Sequence, residues 1–249
     1  MKSLLIGCSG FLGKRISETI SFTDFASSKS PIQDEHFDTV VCAAPSARKW
    51  FAYQHPGEDK RHVEELLRRV KHLSARKFIL LSTVDVYANV SLANENSATC
   101  GSNNPYGFHR LEFENQVSNM FSNTVIFRLG GLVGRGLVKN AIYDLKNLNN
   151  LSSLNPESQM QFLPVEVLIR EVQHAIVSDV NGIFNLTSEP IKLFEAAELS
   201  QVFIPNNSKS EIVNYDVRTN RRSDSNADGY VASKKESLFA IKNYFDGDR

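Results

Sequence analysis

The chain has 249 residues, with 28 Lys and Arg against 28 Asp and Glu, so its formal net charge is +0. A balance of this kind gives no support for a nucleic-acid or membrane-surface partner, which would show as a basic excess. The length allows one large domain or two small ones, and no apolar run approaches the ~20 residues of a membrane span.

Lys2 to Ile6 reads as a buried strand and Lys14 to Ile20 as a helix. Between them stands Gly7-Cys8-Ser9-Gly10-Phe11-Leu12-Gly13, with glycines at G-x-x-G-x-x-G spacing. Strand, glycine turn and helix form the context of a dinucleotide site: tight turn, close approach of pyrophosphate, close helix packing. Leu5-Ile6-Gly7-Cys8 also imitates a lipoprotein cleavage site, but the apolar stretch before it is far shorter than the ~7–15 residues of a secretory signal. Cys8, Cys42 and Cys100 are odd in number and lack metal spacing, which fits a reducing cytoplasm without disulfides. No metal site is expected.

A short second strand is expected from Asp24 to about Ser28, closed by Pro31, with too little chain before Asp38 for another helix. Thr39 to Ala44 reads as a buried strand ended by Pro45, followed by a loop carrying Trp50, Phe51 and Tyr53. Glu58 to Leu73 reads as an amphipathic helix, with Val63, Leu66, Leu67, Val70 and Leu73 on one face. Lys77 to Ser82 is the next strand, Asn89 to Asn104 a polar loop, and Pro105 to Phe121 a helix. Thr124 to Leu129 is another strand. Alternation of this kind implies a doubly wound α/β fold with a parallel sheet covered on both faces.

Past Gly136 the pattern changes. Helices are expected over Leu137–Leu148, Val165–Val177, Lys192–Gln201 and Ser233–Tyr244, a strand over Gly182–Leu186, and loops over Asn147–Ser158 and Asn206–Gly229, the latter including Arg221 to Asp224. This divides the chain into a first domain, 1–135, and a smaller substrate-side region, 136–249, that partly completes it.

Ser82-Thr83-Val84-Asp85-Val86-Tyr87 ends a strand, where ligands bind in open α/β sheets. Tyr106 and Arg110 then share a helix face at i,i+4, while His109 is expected on another face. A tyrosine of pKa ~10 is a poor acid or base at neutral pH. A neighbouring cation stabilises the phenolate and lowers that pKa, and the Thr83 hydroxyl can hold a substrate oxygen beside it. The arrangement suits proton movement alongside hydride transfer.

These motifs together resemble the extended short-chain dehydrogenase/reductases, the NAD(P)-dependent sugar-nucleotide epimerases, dehydratases and reductases. Arg128-Leu129-Gly130-Gly131, Gln161-Phe162-Leu163-Pro164 and Phe184-Asn185-Leu186 resemble further motifs of that family, so the likeness covers nearly the whole chain. It implies a Rossmann-like fold and a cytoplasmic enzyme of sugar-nucleotide chemistry, such as polysaccharide biosynthesis. The small-molecule substrate would be a sugar nucleotide or similar alcohol.

By position, the resemblance implies that Gly7, Ser9, Gly10, Phe11, Leu12 and Gly13 hold the cofactor pyrophosphate. Ala43, Ala44 and Pro45 line the cofactor. Thr83 orients the substrate with Asp85 nearby, and Tyr106 is the acid/base. Arg110 stands where the family has a lysine that touches the nicotinamide ribose; arginine keeps the charge but changes reach and shape. Val84 replaces the aspartic acid of the dehydratases, which argues against that subtype. His62, where many members have asparagine, reads as a helix-surface residue. Ser28 and Lys29 end the second strand without the acid of NAD-specific members, which favours NADP over NAD. A homodimer through the helices at 58–73 and 105–121 is expected. The alternative is a non-catalytic NAD(P)-binding sensor or carrier of the same fold.

Overall fold

The computed structural model describes residues 1–32, 35–205, 210–221 and 229–247. In chain order the elements are β1 (Ser3–Ile6), α1 (Phe11–Ser17), β2 (Asp24–Ala26), β3 (His36–Cys42), α2 (Lys49–Gln54), α3 (Pro56–Val70), β4 (Ser74–Thr83), β5 (Ser91–Ala93), α4 (Pro105–Met120) and β6 (Thr124–Leu129). There follow β7 (Gly131–Val133), α5 (Ala141–Asn147), β8 (Gln159–Met160), β9 (Phe162–Pro164), α6 (Val165–Val177), β10 (Gly182–Leu186), β11 (Ile191–Lys192), α7 (Leu193–Ser200), β12 (Asp216–Val217) and α8 (Lys234–Asp246). The fold is mixed α/β around a parallel six-stranded sheet in the order β10-β6-β4-β3-β1-β2, a Rossmann-like arrangement. No helix among the described residues is long and apolar enough to cross a membrane.

The chain forms two compact units. The first comprises Met1–Asn89, Asn96–Arg128 and Ile169–Phe184. β1 and β6 are buried along their length, as expected for strands of a sheet covered on both faces. On one face Leu4, Ile6, Val40, Cys42, Phe78, Leu80 and Ile126 form a single core with Val63, Leu66 and Val70 of α3 and Phe113, Val117 and Phe121 of α4. The apolar stripe of α3 meets the sheet there. Its first turn carries Glu58 and Asp59 and its last Arg68 and Arg69, each sign matching the helix dipole. Lys77 is 5% exposed and donates to the carbonyls of Ala175 (2.8 Å) and Ser178, which satisfies orphan acceptors at the end of α6.

The second unit comprises Val90–Glu95, Leu129–Leu168 and Asn185–Arg249. It contains short two-stranded pairings, β12 with β5, β8 with β11 and β7 with β9. Polar side chains, the buried Gln161 and the partly buried Glu95, replace long ladders here. Gln161 donates to the carbonyls of Ser188 (2.7 Å) and Val217 (3.0 Å) and accepts from the Val217 amide (2.9 Å). Glu95 accepts from the amides of Asn185 (2.8 Å) and Asn220 (2.7 Å) and from the Thr219 hydroxyl (2.7 Å). Every member being bonded, such networks fix a unique arrangement of irregular chain.

Four expectations are corrected. The loop expected around Trp50, Phe51 and Tyr53 contains α2, whose Ala52 is fully buried; six residues are too few to display a helical period. The loop expected over Asn89–Asn104 contains β5, and the one over Asn206–Gly229 contains β12, its partner. The helix expected over Leu137–Leu148 is only α5. Asn140, at φ 133°, caps it by accepting from the amides of Ile142 (3.0 Å) and Tyr143 (3.1 Å), which excludes the four residues from Leu137. Of the Arg221 to Asp224 run, residues 222–224 lie outside the described residues.

Candidate active site

Three loops meet at one end of the parallel sheet. Gly7 leaves β1 at φ +89°, and its amide donates to the Ala26 carbonyl at the end of β2 (2.7 Å). A Cβ on Gly7 would lie 2.7 Å from the Ala43 carbonyl carbon, just past β3, while one on Gly13 would overlap the Gly7 carbonyl oxygen. Both glycines are therefore required by packing. Gly10 differs: a Cβ there would meet only the Gly7 oxygen, at 3.4 Å. Its face is open, and it N-caps α1 without a side chain. Ser9, Phe11 and Leu12 lie in the same turn. Ala44 and Pro45 follow Ala43 from β3. Beyond β2, the Ser27 hydroxyl accepts from the amides of Lys29 (3.1 Å) and Ser30 (3.0 Å), forming a tight turn. Lys29 is exposed in that turn, and the Ser28 carbonyl accepts from Arg69.

Thr83 ends β4 and caps a 3₁₀ turn, Val84–Val86, by accepting from the Asp85 amide (3.2 Å). The N-terminus of α4 is pressed against this turn. Asn104 caps α4 through Gly107 (3.0 Å) and donates to the Asp85 carbonyl (2.9 Å). A Cβ on Gly107 would overlap that carbonyl, so the glycine lets Tyr106 arrive beside Thr83. Tyr106 is 6% exposed, and the Thr83 side chain is close enough to lower the pKa of its phenol. Burial pushes the phenol above its ordinary pKa of 10.0; Arg110 lowers it, Asp85 raises it, and Thr83 and Lys49 lower it.

The Arg110 guanidinium lies 4.2 Å from the Tyr106 ring centroid. It is 2% exposed and grips Asp59 of α3 with two nitrogens, one bond measuring 2.8 Å. It also donates to the carbonyls of Ser46 (2.6 Å) and Tyr106 (3.3 Å), while its buried Nε has no partner. His109, expected on another face, joins the same carboxylate: its Nδ1 is 2.8 Å from Asp59. A carboxylate one turn into the packed helix reaches both i and i+1 of α4, which a single-helix projection does not reveal. Burial alone would raise the Asp59 pKa, but the bonds and charges of Arg110 and His109 outweigh it and hold the group below 3.8.

Asp59 and Lys49 are the charged residues that sequence reasoning missed here. The Lys49 ammonium donates to Asp85 (2.7 Å) from the first residue of α2. Placing it would have required recognising α2. Behind Thr83, the Ser82 hydroxyl donates to Glu114, which Arg128 of β6 grips with two nitrogens (3.1 and 2.7 Å). Glu114 lies four residues after Arg110, so α4 is fixed to its surroundings by two successive buried ion pairs. His62 stacks on Phe51 (6.0 Å, 13°) and is exposed on α3.

The pattern of the NAD dependent epimerase/dehydratase family matches residues 15–151. The chain belongs to that family. The family is one of NAD-dependent epimerases and dehydratases. No curated protein sequence matches this family member. Among solved structures it resembles RMD from Pseudomonas aeruginosa complexed with NADPH, at 18% identity and TM-score 0.69 over 100% of both chains. It also resembles a dTDP-4-dehydrorhamnose reductase from Bacillus anthracis in complex with NADP, at 14% identity and TM-score 0.71, over 100% of this chain and 99% of the other. A third is a UDP-glucuronic acid 4-epimerase from Bacillus cereus in complex with UDP-4-deoxy-4-fluoro-glucuronic acid and NAD, at 17% identity and TM-score 0.69, over 99% and 98%. These likenesses describe the fold. The residues present fit a dinucleotide: the open face of Gly10 leaves room for a pyrophosphate, and the unpartnered Nε of Arg110 is a spare donor.

Proposed function

We propose that this enzyme is an epimerase or reductase acting on a sugar nucleotide, with Tyr106 as its acid and base. The observation that carries the reading is the close approach of the start of α4, which bears Tyr106, to the turn that follows Thr83 at the C-terminal end of β4, where a Cβ on Gly107 would overlap the Asp85 carbonyl. Bound NAD(P) would supply or accept a hydride at the carbinol carbon. Thr83 donates to the substrate oxygen and holds it beside the phenol. Tyr106 gives the oxygen a proton when a carbonyl is reduced and takes it back when an alcohol is oxidised. The phenol is protonated at neutral pH, the state that serves reduction directly, and burial pushes its pKa further above the ordinary 10.0. Gly7, Gly10 and Gly13 shape the pyrophosphate turn, with Ser9, Phe11 and Leu12 supplying backbone amides. Ala43, Ala44 and Pro45 line the dinucleotide. Ser28 and Lys29 favour NADP by meeting a 2′-phosphate.

A non-catalytic NAD(P)-binding protein is the second reading. It is favoured by Arg110, whose guanidinium is engaged with Asp59 and the Ser46 carbonyl. Incubating the purified protein with NADPH or NADH and a panel of keto- and hydroxy-sugar nucleotides separates the two. Hydride exchange is expected. Tyr106→Phe should reduce it by ~10²–10⁴-fold while cofactor affinity stays within a few fold. Normal turnover by the variant would remove Tyr106 from its role, and cofactor binding without exchange by the wild type would favour the second reading.

A further inference from the structure

We infer that Asn104 is a positioning residue for Tyr106: its carboxamide ties the first turn of α4 to the turn after β4, and so sets where the phenol stands relative to the Thr83 hydroxyl. The inference rests on the reading of Tyr106 as acid and base.

Asn104 is the N-cap of α4, two residues before Tyr106. Its Oδ1 accepts from the Gly107 amide (3.0 Å), in the first turn of the helix, and from the Tyr53 hydroxyl of α2 (3.1 Å). Its Nδ2 donates to the Asp85 carbonyl (2.9 Å), in the 3₁₀ turn that Thr83 caps. The main chain holds the residue as well. The Asn104 amide donates to the Gly101 carbonyl (3.1 Å), and the Asn104 carbonyl accepts from the Phe108 amide (2.9 Å). Tyr106 therefore lies within the short stretch, Asn104 to Gly107, that one side chain closes on itself and fastens to the end of β4.

The arrangement asks for a carboxamide. Its oxygen has two lone pairs, and each meets a donor, one from α4 and one from α2. With the oxygen end fixed in this way, the nitrogen end is turned toward the Asp85 carbonyl. Serine and aspartate cap helices about as well as asparagine, but serine has no amide donor and an aspartate carboxylate presents only acceptors. Capping alone leaves the bond to Asp85 unexplained. Gly107 complements it: a Cβ there would overlap the Asp85 carbonyl and lie 2.9 Å from the Asn104 Nδ2, so helix start and turn meet at backbone distance beside the carboxamide. Proton transfer needs the phenol within hydrogen-bond reach of the oxygen that Thr83 holds, and a displacement of ~1 Å can cost ~10²-fold in rate.

The test uses the full-length protein and three variants. Asn104→Ser keeps a cap for Gly107 and lacks the amide donor. Asn104→Asp keeps the cap and turns an acceptor toward the Asp85 carbonyl. Tyr53→Phe removes only the donor that orients the carboxamide. Turnover and NAD(P)H affinity are measured for each. Tyrosine labelled with ¹³C at the ring carbon that bears the hydroxyl reports on Tyr106 without turnover, its signal being assigned by its loss in Tyr106→Phe. In both Asn104 variants kcat should fall by ~10–10²-fold, with KM and cofactor affinity within a few fold of wild type and the Tyr106 signal displaced. Tyr53→Phe should act in the same direction by less than about tenfold. Wild-type kcat in folded Asn104→Ser and Asn104→Asp, an undisplaced Tyr106 signal, or a fall in kcat matched by an equal loss of cofactor affinity would overturn the inference. If neither Asn104 variant folds, Tyr53→Phe decides alone, and wild-type kcat and signal would overturn it. A wild type without turnover, with the signal displaced in Asn104→Ser, would sink the enzymatic reading and leave the placement of the phenol by Asn104 standing.

Discussion

Asp59 with Arg110, and Asp85 with Lys49, are chemically similar pairs that both bear on Tyr106, yet their surroundings differ. In the first, both side chains are 2% exposed. In the second, the lysine is 44% and the aspartate 15% exposed. The first joins α3 to α4 and is built into the core face that includes Val63 and Phe113. The second joins a short helix to a 3₁₀ turn. A buried pair is costly to break because it leaves a charge without water, whereas an exposed one is worth little to folding and remains adjustable. Burial therefore determines which of the two pairs is structural.

Arg110→Met tests the buried side of that contrast and should have the largest effect on folding. It leaves Asp59 buried with only His109, at a cost of about 3–5 kcal/mol in denaturant unfolding at neutral pH. The pH dependence has a definite sign. Asp59 titrates below its ordinary 3.8 in the folded protein, so its stabilisation is present above that value and disappears as pH falls through the lowered one. In Arg110→Met that lowering is reduced, and acid unfolding should begin at higher pH. Equal stability of variant and wild type at pH 7 would erase the distinction between the two pairs.

Lys29 extends the comparison to a cation exposed in the turn after β2. If it meets a 2′-phosphate, Lys29→Glu should shift the ratio of NADPH to NADH affinity toward NADH by roughly tenfold, or ~1.4 kcal/mol. Titration of both cofactors against both proteins measures this, and an unchanged ratio would make Lys29 a solvated loop residue. The smallest change in stability belongs to Lys49→Met, which should alter it by at most ~1 kcal/mol. A loss as large as that of Arg110→Met would mean that the half-exposed pair is also structural.

Legibility differed between the glycine turn and the charge cluster for a physical reason. The turn's signal is local: Gly10 and Gly13 meet chain within a few residues of themselves, and although Gly7 also packs against Ala43, the spacing of all three stands in the sequence. β1, β6, α4, α6 and β10 were equally readable, because long apolar runs and helical periodicity depend on near neighbours. α2 and β12 were not, being six and two residues long and stabilised by distant partners. His109 shows the same limit. Its helix position predicts a face, but Asp59, 50 residues earlier, decides what it touches.

The sequence by itself determined the parallel α/β alternation, the glycine turn after the first strand, and the placing of Thr83 and Tyr106 at the ends of their elements. Each is a property of hydrophobic period, turn chemistry or spacing along one segment. Only the tertiary structure decided that Arg110 spends its fork on Asp59, that Lys49 meets Asp85, and that the Tyr106 phenol is buried, which raises its pKa. Charge pairing and desolvation are set by which surfaces the packed helices bring together. Groups 36 and 51 residues apart in the chain carry no local pattern that would announce their contact.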